Sequence, residues 1–296
     1  MSVVTTVEAV PNRLRLIFDY FVGKTQSEPL ERIENLMSPP ALRHGGGNGD
    51  GDNPAAMFRN TLREAYALKM VEEANGKLRF ADELVDKKRQ DIDTRFIDWV
   101  ELRLLDPSIN ADYQQENVAR AFAWLLMQSP LRPLAFGENY SGLIRQQLGD
   151  SADVFDLTNK ERFQNLAYWA RYLGYCTQIG SRAVVPDPTG ALARWLPRVL
   201  GTEKEMSIHN FMRELATKIP VLEDGSVRRR LEDDLVVDSL RRDPQRLSQS
   251  TSLALRRVAD RGRIAFKDLS DAKHLILDFG DKTQRVSHIV LLGEQE

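Results

Sequence analysis

Residues 68–80 read LKMVEEANGKLRF. Asn75-Gly76 supplies the two positive-φ positions of a type I′ turn, and apolar residues lie on both sides, so the segment is a β-hairpin. It follows directly on a helical pattern. Across 54–67, Met57, Phe58, Leu62 and Ala65 fall on an inward face, while Arg59, Asn60 and Arg63 fall outward. Asn53-Pro54 reads as the N-cap and first residue of that helix.

Two helices precede it. Leu14, Ile17, Phe18 and Phe21 give the stretch 11–22 one buried face, closed by Gly23. A shorter helix over 29–37 carries Leu30, Ile33, Leu36 and Met37 and stops at Pro39-Pro40. The segment 43–54, RHGGGNGDGDNP, has no apolar residue to bury and reads as a loop. Three helices followed by a two-stranded wing is the winged helix-turn-helix layout, a helix-turn-helix with a hairpin appended.

The pattern echoes further along. A shift of 105 residues aligns Phe58 with Phe163, Ala65 with Ala170, Leu68 with Leu173, and Asn75-Gly76 with Gly180-Ser181. Upstream helices for this copy fall at 114–127, 140–148 and 159–173, and FQNLAYWARYLGYCTQIGSRAVVPDP again runs helix, strand, turn, strand. Between the copies, Ile92, Phe96, Trp99, Val100 and Leu104 make a connecting helix. After residue 190, Ile208, Phe211, Met212 and Leu215 mark one more helix face. A helix over 250–260 then leads to two strands, KHLILDF and QRVSHIVLL, joined at Gly280-Asp281-Lys282-Thr283. The expected fold class is therefore mainly α, with tandem winged helix-turn-helix units bearing β-hairpin wings. The units are 1–85, a connecting helix at 86–106, 107–190, and a helical region 191–296 ending in a third helix-plus-hairpin.

Composition limits what these units do. At 296 residues, 42% hydrophobic and 28% charged, the chain has ordinary globular content for two or three modest domains. With 41 Lys+Arg against 43 Asp+Glu, nucleic acid is not coated by bulk charge, and any contact is local. One cysteine, Cys176, rules out an internal disulfide framework and paired-cysteine zinc sites. Neither a signal peptide nor a membrane span is expected, which places the protein in the cytoplasm.

Catalytic signatures fail one by one. The glycines at 45–51 lack the lysine of a phosphate loop. Asp278-Phe279-Gly280 matches the kinase magnesium triplet without its companion motifs, and reads as a strand ending in a glycine turn. His44, His209, His274 and His288 form no metal-ligand spacing, although His274 and His288 are expected to face each other across the last hairpin. Asp268 with Asp271-Ala272-Lys273 imitates a nuclease acid pair but precedes its strand. Cys176 reads as a buried structural thiol. The expectation is a protein without enzymatic activity, cofactor or metal.

For nucleic acid, the third helix of a helix-turn-helix presents its exposed face to the groove. In the first unit the candidates are Arg59, Asn60 and Arg63, with Lys69, Lys77 and Arg79 on the wing. In the second, Lys160, Arg162, Gln164, Asn165, Arg171 and the wing residue Arg182 occupy comparable places. Residues 226–263 hold ten arginines against six acids, net +4, with Arg256, Arg257, Arg261 and Arg263 at the end of the helix before the third hairpin. Arginine forks to guanine and asparagine to adenine, while wing cations touch phosphates.

With VPNRLRLIFDYFVGK at the N-terminal end, the divided helix-turn-helix and LKMVEEANGKLRFADEL, the chain resembles the DpdG-type proteins. These are accessory components of bacterial islands that place 7-deazapurines in DNA and restrict unmodified invading DNA. The likeness lies in overall layout and spans most of the chain. It implies a non-catalytic, double-stranded-DNA-binding or scaffold subunit in antiviral defence, with helicase and nuclease subunits as partners and no membrane. Two other roles fit the same layout: a winged-helix transcriptional regulator, and a kleisin-like structural bridge that makes no DNA contact.

Overall fold

The computed structural model describes residues 2–39, 55–85 and 91–292. It is mainly helical with small antiparallel sheets. The first series runs α1 (Pro11–Phe21), β1 (Glu28–Pro29), α2 (Leu30–Met37), α3 (Ala56–Ala67), β2 (Val71–Ala74) and β3 (Lys77–Phe80). β3 lies between β1 and β2, pairing Leu78 with Glu28 on one side and Glu73 on the other. Asn75 at φ 52° and Gly76 at φ 69° make the left-handed turn that the hairpin needs.

After α4 (Ile92–Leu105) the order recurs as α5 (Glu116–Met127), β4 (Leu134–Ala135), α6 (Ser141–Leu148), α7 (Lys160–Tyr172), β5 (Cys176–Ile179) and β6 (Ala183–Pro186). The sheet again has its last strand in the middle, β4-β6-β5. A third series follows: α8 (Thr189–Leu200), β7 (Glu205–Ser207), α9 (Ile208–Lys218), α10 (Ser226–Asp233), α11 (Gln249–Asp260), β8 (Ile264–Lys267), β9 (Leu275–Asp278), β10 (Thr283–Val286) and β11 (His288–Leu291). Here the order is β7-β11-β8, and β9 and β10 form a separate hairpin that falls between β8 and β11 in sequence.

The same corner joins helix to sheet each time. Helices α3, α7 and α11 each end two residues before a left-handed position: Lys69 (φ 48°), Gly174 (φ 81°) and Gly262 (φ 69°). The next amide reaches back five residues: Met70 to Ala65, Tyr175 to Ala170 and Arg263 to Val258, at 2.9, 2.7 and 3.2 Å. This is the Schellman closure, which satisfies the last helical carbonyls while turning the chain sharply. The strand begins two residues beyond the left-handed position in all three. At α3 and α7 a hairpin therefore sits at a helix tip, because the helix stop and the strand start are one structure; at α11 the strand so started, β8, pairs with β11.

A single hydrophobic cluster runs through all three series. Its centre is α5, where Val118, Ala119 and every residue of the run 121–127 are buried. The N-terminal segment joins the first series to the second. Asn165 on α7 donates to the carbonyls of Val3 and Thr6, Trp169 Nε1 donates to Ala9 O at 2.9 Å, and Val3 N donates to Gln115 at 3.0 Å. Helix α4 is fastened to the first corner by Trp99 Nε1, which donates to Leu68 O at 3.2 Å.

Several sequence expectations change. Met57 is 50% exposed and Leu36 57%, because α2 and α3 each bury a narrower stripe than their apolar content suggests. Asn165 faces inward onto Val3 and Thr6 and is not at the surface. The expected strand QRVSHIVLL is two strands. Ser287 breaks it, so Val286 pairs with Leu275 in the hairpin while His288 pairs with Ser207 and Lys267 in another sheet. His274 and His288 are consequently not cross-strand partners. The expected cap at Asn53-Pro54, the glycine loop at 43–54 with His44, and the start of the connecting segment at 86–90 lie outside the described residues.

Candidate nucleic-acid interface

In the first series, the outward cations of α3 and its hairpin are largely engaged. Arg59 pairs with Glu34 at 3.2 Å, and Arg79 with Asp82 at 3.2 Å and Glu72 at 3.7 Å. Lys69 lies 5.4 Å from the centre of the Tyr113 ring. Asn60 is half-buried. Arg63 and Lys77 are exposed and, among the described residues, have no ion pair. Glu64, an acidic residue on the same helix, is buried and accepts from Thr6 Oγ1 at 2.6 Å, so it adds little to the surface field.

The second and third series bring cations together. A groove of about 620 Å³ runs between the end of α7, the start of α8 and the end of α11, and Arg171, Arg257 and Arg261 all line it. Gly180, on the β5–β6 turn, lines it as well, and Arg182 is exposed on that same turn. A neighbouring recess of about 470 Å³ shares Arg171 and adds Arg13, Tyr168 and Tyr172. Gln164, Tyr168 and Arg171 fall at i, i+4 and i+7, one exposed stripe of α7. The Gln164 side chain donates to the Tyr168 hydroxyl at 2.7 Å, and Arg171 donates to Gln178 at 2.6 Å.

One carboxylate, Asp187, lines the groove and is fully used. One of its oxygens accepts from the backbone amide and hydroxyl of Thr189, capping α8, and the other receives Arg257. Asp187 is 1% exposed, so Arg257 supports a buried charge while showing its other face to the groove. Arg261 and Arg182 have no ion pair among the described residues, whereas Arg256 is held by Asp260 at 2.9 Å and Arg263 is half-buried. The geometry suits a polyanion: several guanidinium groups on a concave surface beside a helix face able to hydrogen-bond and stack.

Of the residues expected from the sequence, the fold brings Arg171, Arg182, Arg257 and Arg261 to one place. Arg59, Asn60, Arg63, Lys69, Lys77 and Arg79 lie on another series and do not line this groove. Sequence reasoning missed Arg13 and Tyr168. Tyr168 was within reach, since it completes the period of Gln164 and Arg171. Arg13 carries no periodic signal.

Cys176, Asp278 and Asp268 have structural surroundings or partners. Burial, with the Asp187 charge adding to it, pushes the Cys176 thiol up to about 12 and keeps it protonated. Burial and then Glu101 hold the Tyr175 phenol well above its ordinary range. Asp278 accepts from Gly280 N at 2.8 Å and from Arg246 at 3.3 Å, closing a glycine turn with Gly280 at φ 87°. Asp268 pairs with Arg285 at 3.8 Å. Among the described residues no three His, Cys, Asp or Glu side chains are grouped to hold a metal ion, and no helix is long and apolar enough to cross a membrane.

No curated protein and no solved structure matches the chain. The sequence pattern of the family described as DpdG-like matches residues 1–272, nearly the whole length, and the chain belongs to that family.

Proposed function

We propose that the protein is a non-catalytic subunit of a Dpd modification and restriction system that grips duplex DNA and holds partner enzymes beside it. Family membership supports the association with such a system. The repeated order helix, strand, two or more helices, strand, strand, with the last strand central in each sheet, supports reading the three series as winged-helix units. The observation that carries the DNA reading is the convergence of Arg171, Arg257 and Arg261 in one groove flanked by the exposed α7 stripe and Arg182. In this reading the second unit faces DNA, its third helix meets the duplex, and the third unit's arginines clamp the adjacent phosphates.

The test is fluorescence anisotropy on a labelled duplex of about 25 base pairs across a salt series. Replacing Arg171, Arg182 and Arg261 together by alanine should weaken binding at least about tenfold and reduce the salt slope by about 3. Arg257 is left in place because removing it strands the buried Asp187, at a cost of about 3–5 kcal/mol that would confuse stability with binding. Unchanged affinity and slope would overturn the reading. In the same samples the duplex should stay uncut and unmodified with added magnesium or manganese. Cleavage that survives repurification and disappears in D268A/K273A would overturn the non-catalytic half.

A structural bridge without DNA contact is the second reading, and one observation favours it for the first unit. Two of its outward arginines are neutralised at home, Arg59 by Glu34 and Arg79 by Glu72 and Asp82. That unit is better suited to protein contact than to phosphates.

A further inference from the structure

A second cleft, of about 890 Å³, is lined by α4, α8, α9 and the start of α10. Its lining is predominantly apolar. Leu102 on α4 is 47% exposed into solvent, and Leu105, Pro107, Trp195, Ala216 and Pro220 extend the same surface. An exposed leucine among such neighbours marks a surface suited to being covered. Every carboxylate in the lining is already engaged. Asp98 holds Arg198 at 2.6 Å, Glu101 holds Arg194 at 2.8 Å, Asp224 holds Arg242, and Asp106 accepts from Ser108. Three cations on the rim, Arg213, Lys218 and Arg229, are exposed and have no ion pair among the described residues. The cleft thus pairs an apolar floor with three cations at its edge that have no ion pair among the described residues.

We propose that this cleft receives an acidic amphipathic helix from a protein partner, its apolar side on Leu102 and Trp195 and its carboxylates on Arg213, Lys218 and Arg229. The size fits: a helix of about 10 Å diameter and 5.4 Å pitch fills a cleft of this volume with about two turns. The walls are helices and turns with no strand edge, which excludes an added β-strand and leaves a helix laid in a groove as the matching mode. The apolar floor offers a phosphate backbone no partner, whereas a peptide can place its acids at the rim and its leucines inside. The inference deepens the reading above, since it gives the partner-holding half of that reading a surface, and it can fail independently of the DNA half.

The probe is a fluorescein-labelled peptide of about four helical turns, with leucine at i, i+3, i+4 and i+7 and glutamate or alanine elsewhere. It is titrated with the full chain alongside a counterpart carrying lysine for glutamate. The acidic peptide should bind in the micromolar range and the basic one at least about tenfold more weakly. R213E/R229E should lose the acidic peptide about tenfold or more while keeping wild-type affinity for duplex DNA, and L102D should lose it with all rim charges intact. These side chains are exposed, so each variant should melt like the parent. Equal binding of the two peptides, or equal binding by R213E/R229E and the parent, would overturn the proposal. A fall in duplex affinity for R213E/R229E would also overturn it, by assigning the cleft to nucleic acid. The triple variant at Arg171, Arg182 and Arg261 should bind the peptide normally, so failure of either half is read separately.

Discussion

Lys69 occupies a left-handed backbone position that glycine fills at the two equivalent corners, Gly174 and Gly262. A side chain there costs about 1–2 kcal/mol, offset in part by the contact of the Lys69 ammonium with the Tyr113 ring. Lys69→Gly should therefore raise stability by about 1 kcal/mol, measured as a higher denaturant midpoint with an unchanged slope. A lower midpoint would mean that the ring contact outweighs the backbone strain. At this scale the sequence is informative about conformation: Asn75-Gly76 announces its turn, and the structure gives both residues positive φ. It is less informative about charge. Nothing in the spelling of Arg59 says that Glu34 neutralises it, because that partner comes from another helix, whereas the Arg256–Asp260 pair follows from its i,i+4 spacing.

The unit of repetition is the helix-to-strand corner. At Gly174 it is also a packing point, because a Cβ there would lie 2.7 Å from Ala191 N and 2.9 Å from Gly190 Cα, both backbone. Gly174→Ala should cost about 3 kcal/mol or more, combining left-handed strain with an overlap that no side-chain movement relieves. Gly262→Ala, whose added Cβ meets nothing within 4 Å, should cost only the strain, and the difference between the two melting temperatures separates the effects. Helices were legible because their apolar period survives in the buried faces of α1, α7 and α9. The final strand was not. Its apolar alternation continues through Ser287, and the break comes from two sheets competing for its halves, which no local pattern records.

Across the whole molecule the N-terminal segment acts as a fastening. Asn165 and Trp169 bond the carbonyls of Val3, Thr6 and Ala9 in a fully buried setting, where losing a partner costs about 1–3 kcal/mol. Asn165→Ala should lower stability by that amount and sensitise the first ten residues to limited proteolysis before global unfolding, with the third series protected. Equal protease sensitivity of variant and parent would show that the segment is held by its apolar contacts alone. The candidate groove belongs to this scale too. It is built from residues 171, 257 and 261, which only the packing of α11 against α8 brings near α7, so sequence reading found its members without their meeting place.

Helix α5, wholly buried from Ala121 to Met127, has a practical meaning for chimaeras. A graft that swaps one series for that of a relative cuts through the neighbours of Trp124 and Phe122 wherever the junction is placed, so the exchanged parts inherit mismatched surfaces. Working hybrids will need the segment 116–127 transplanted together with the faces that enclose it, however modular the three hairpins look from outside.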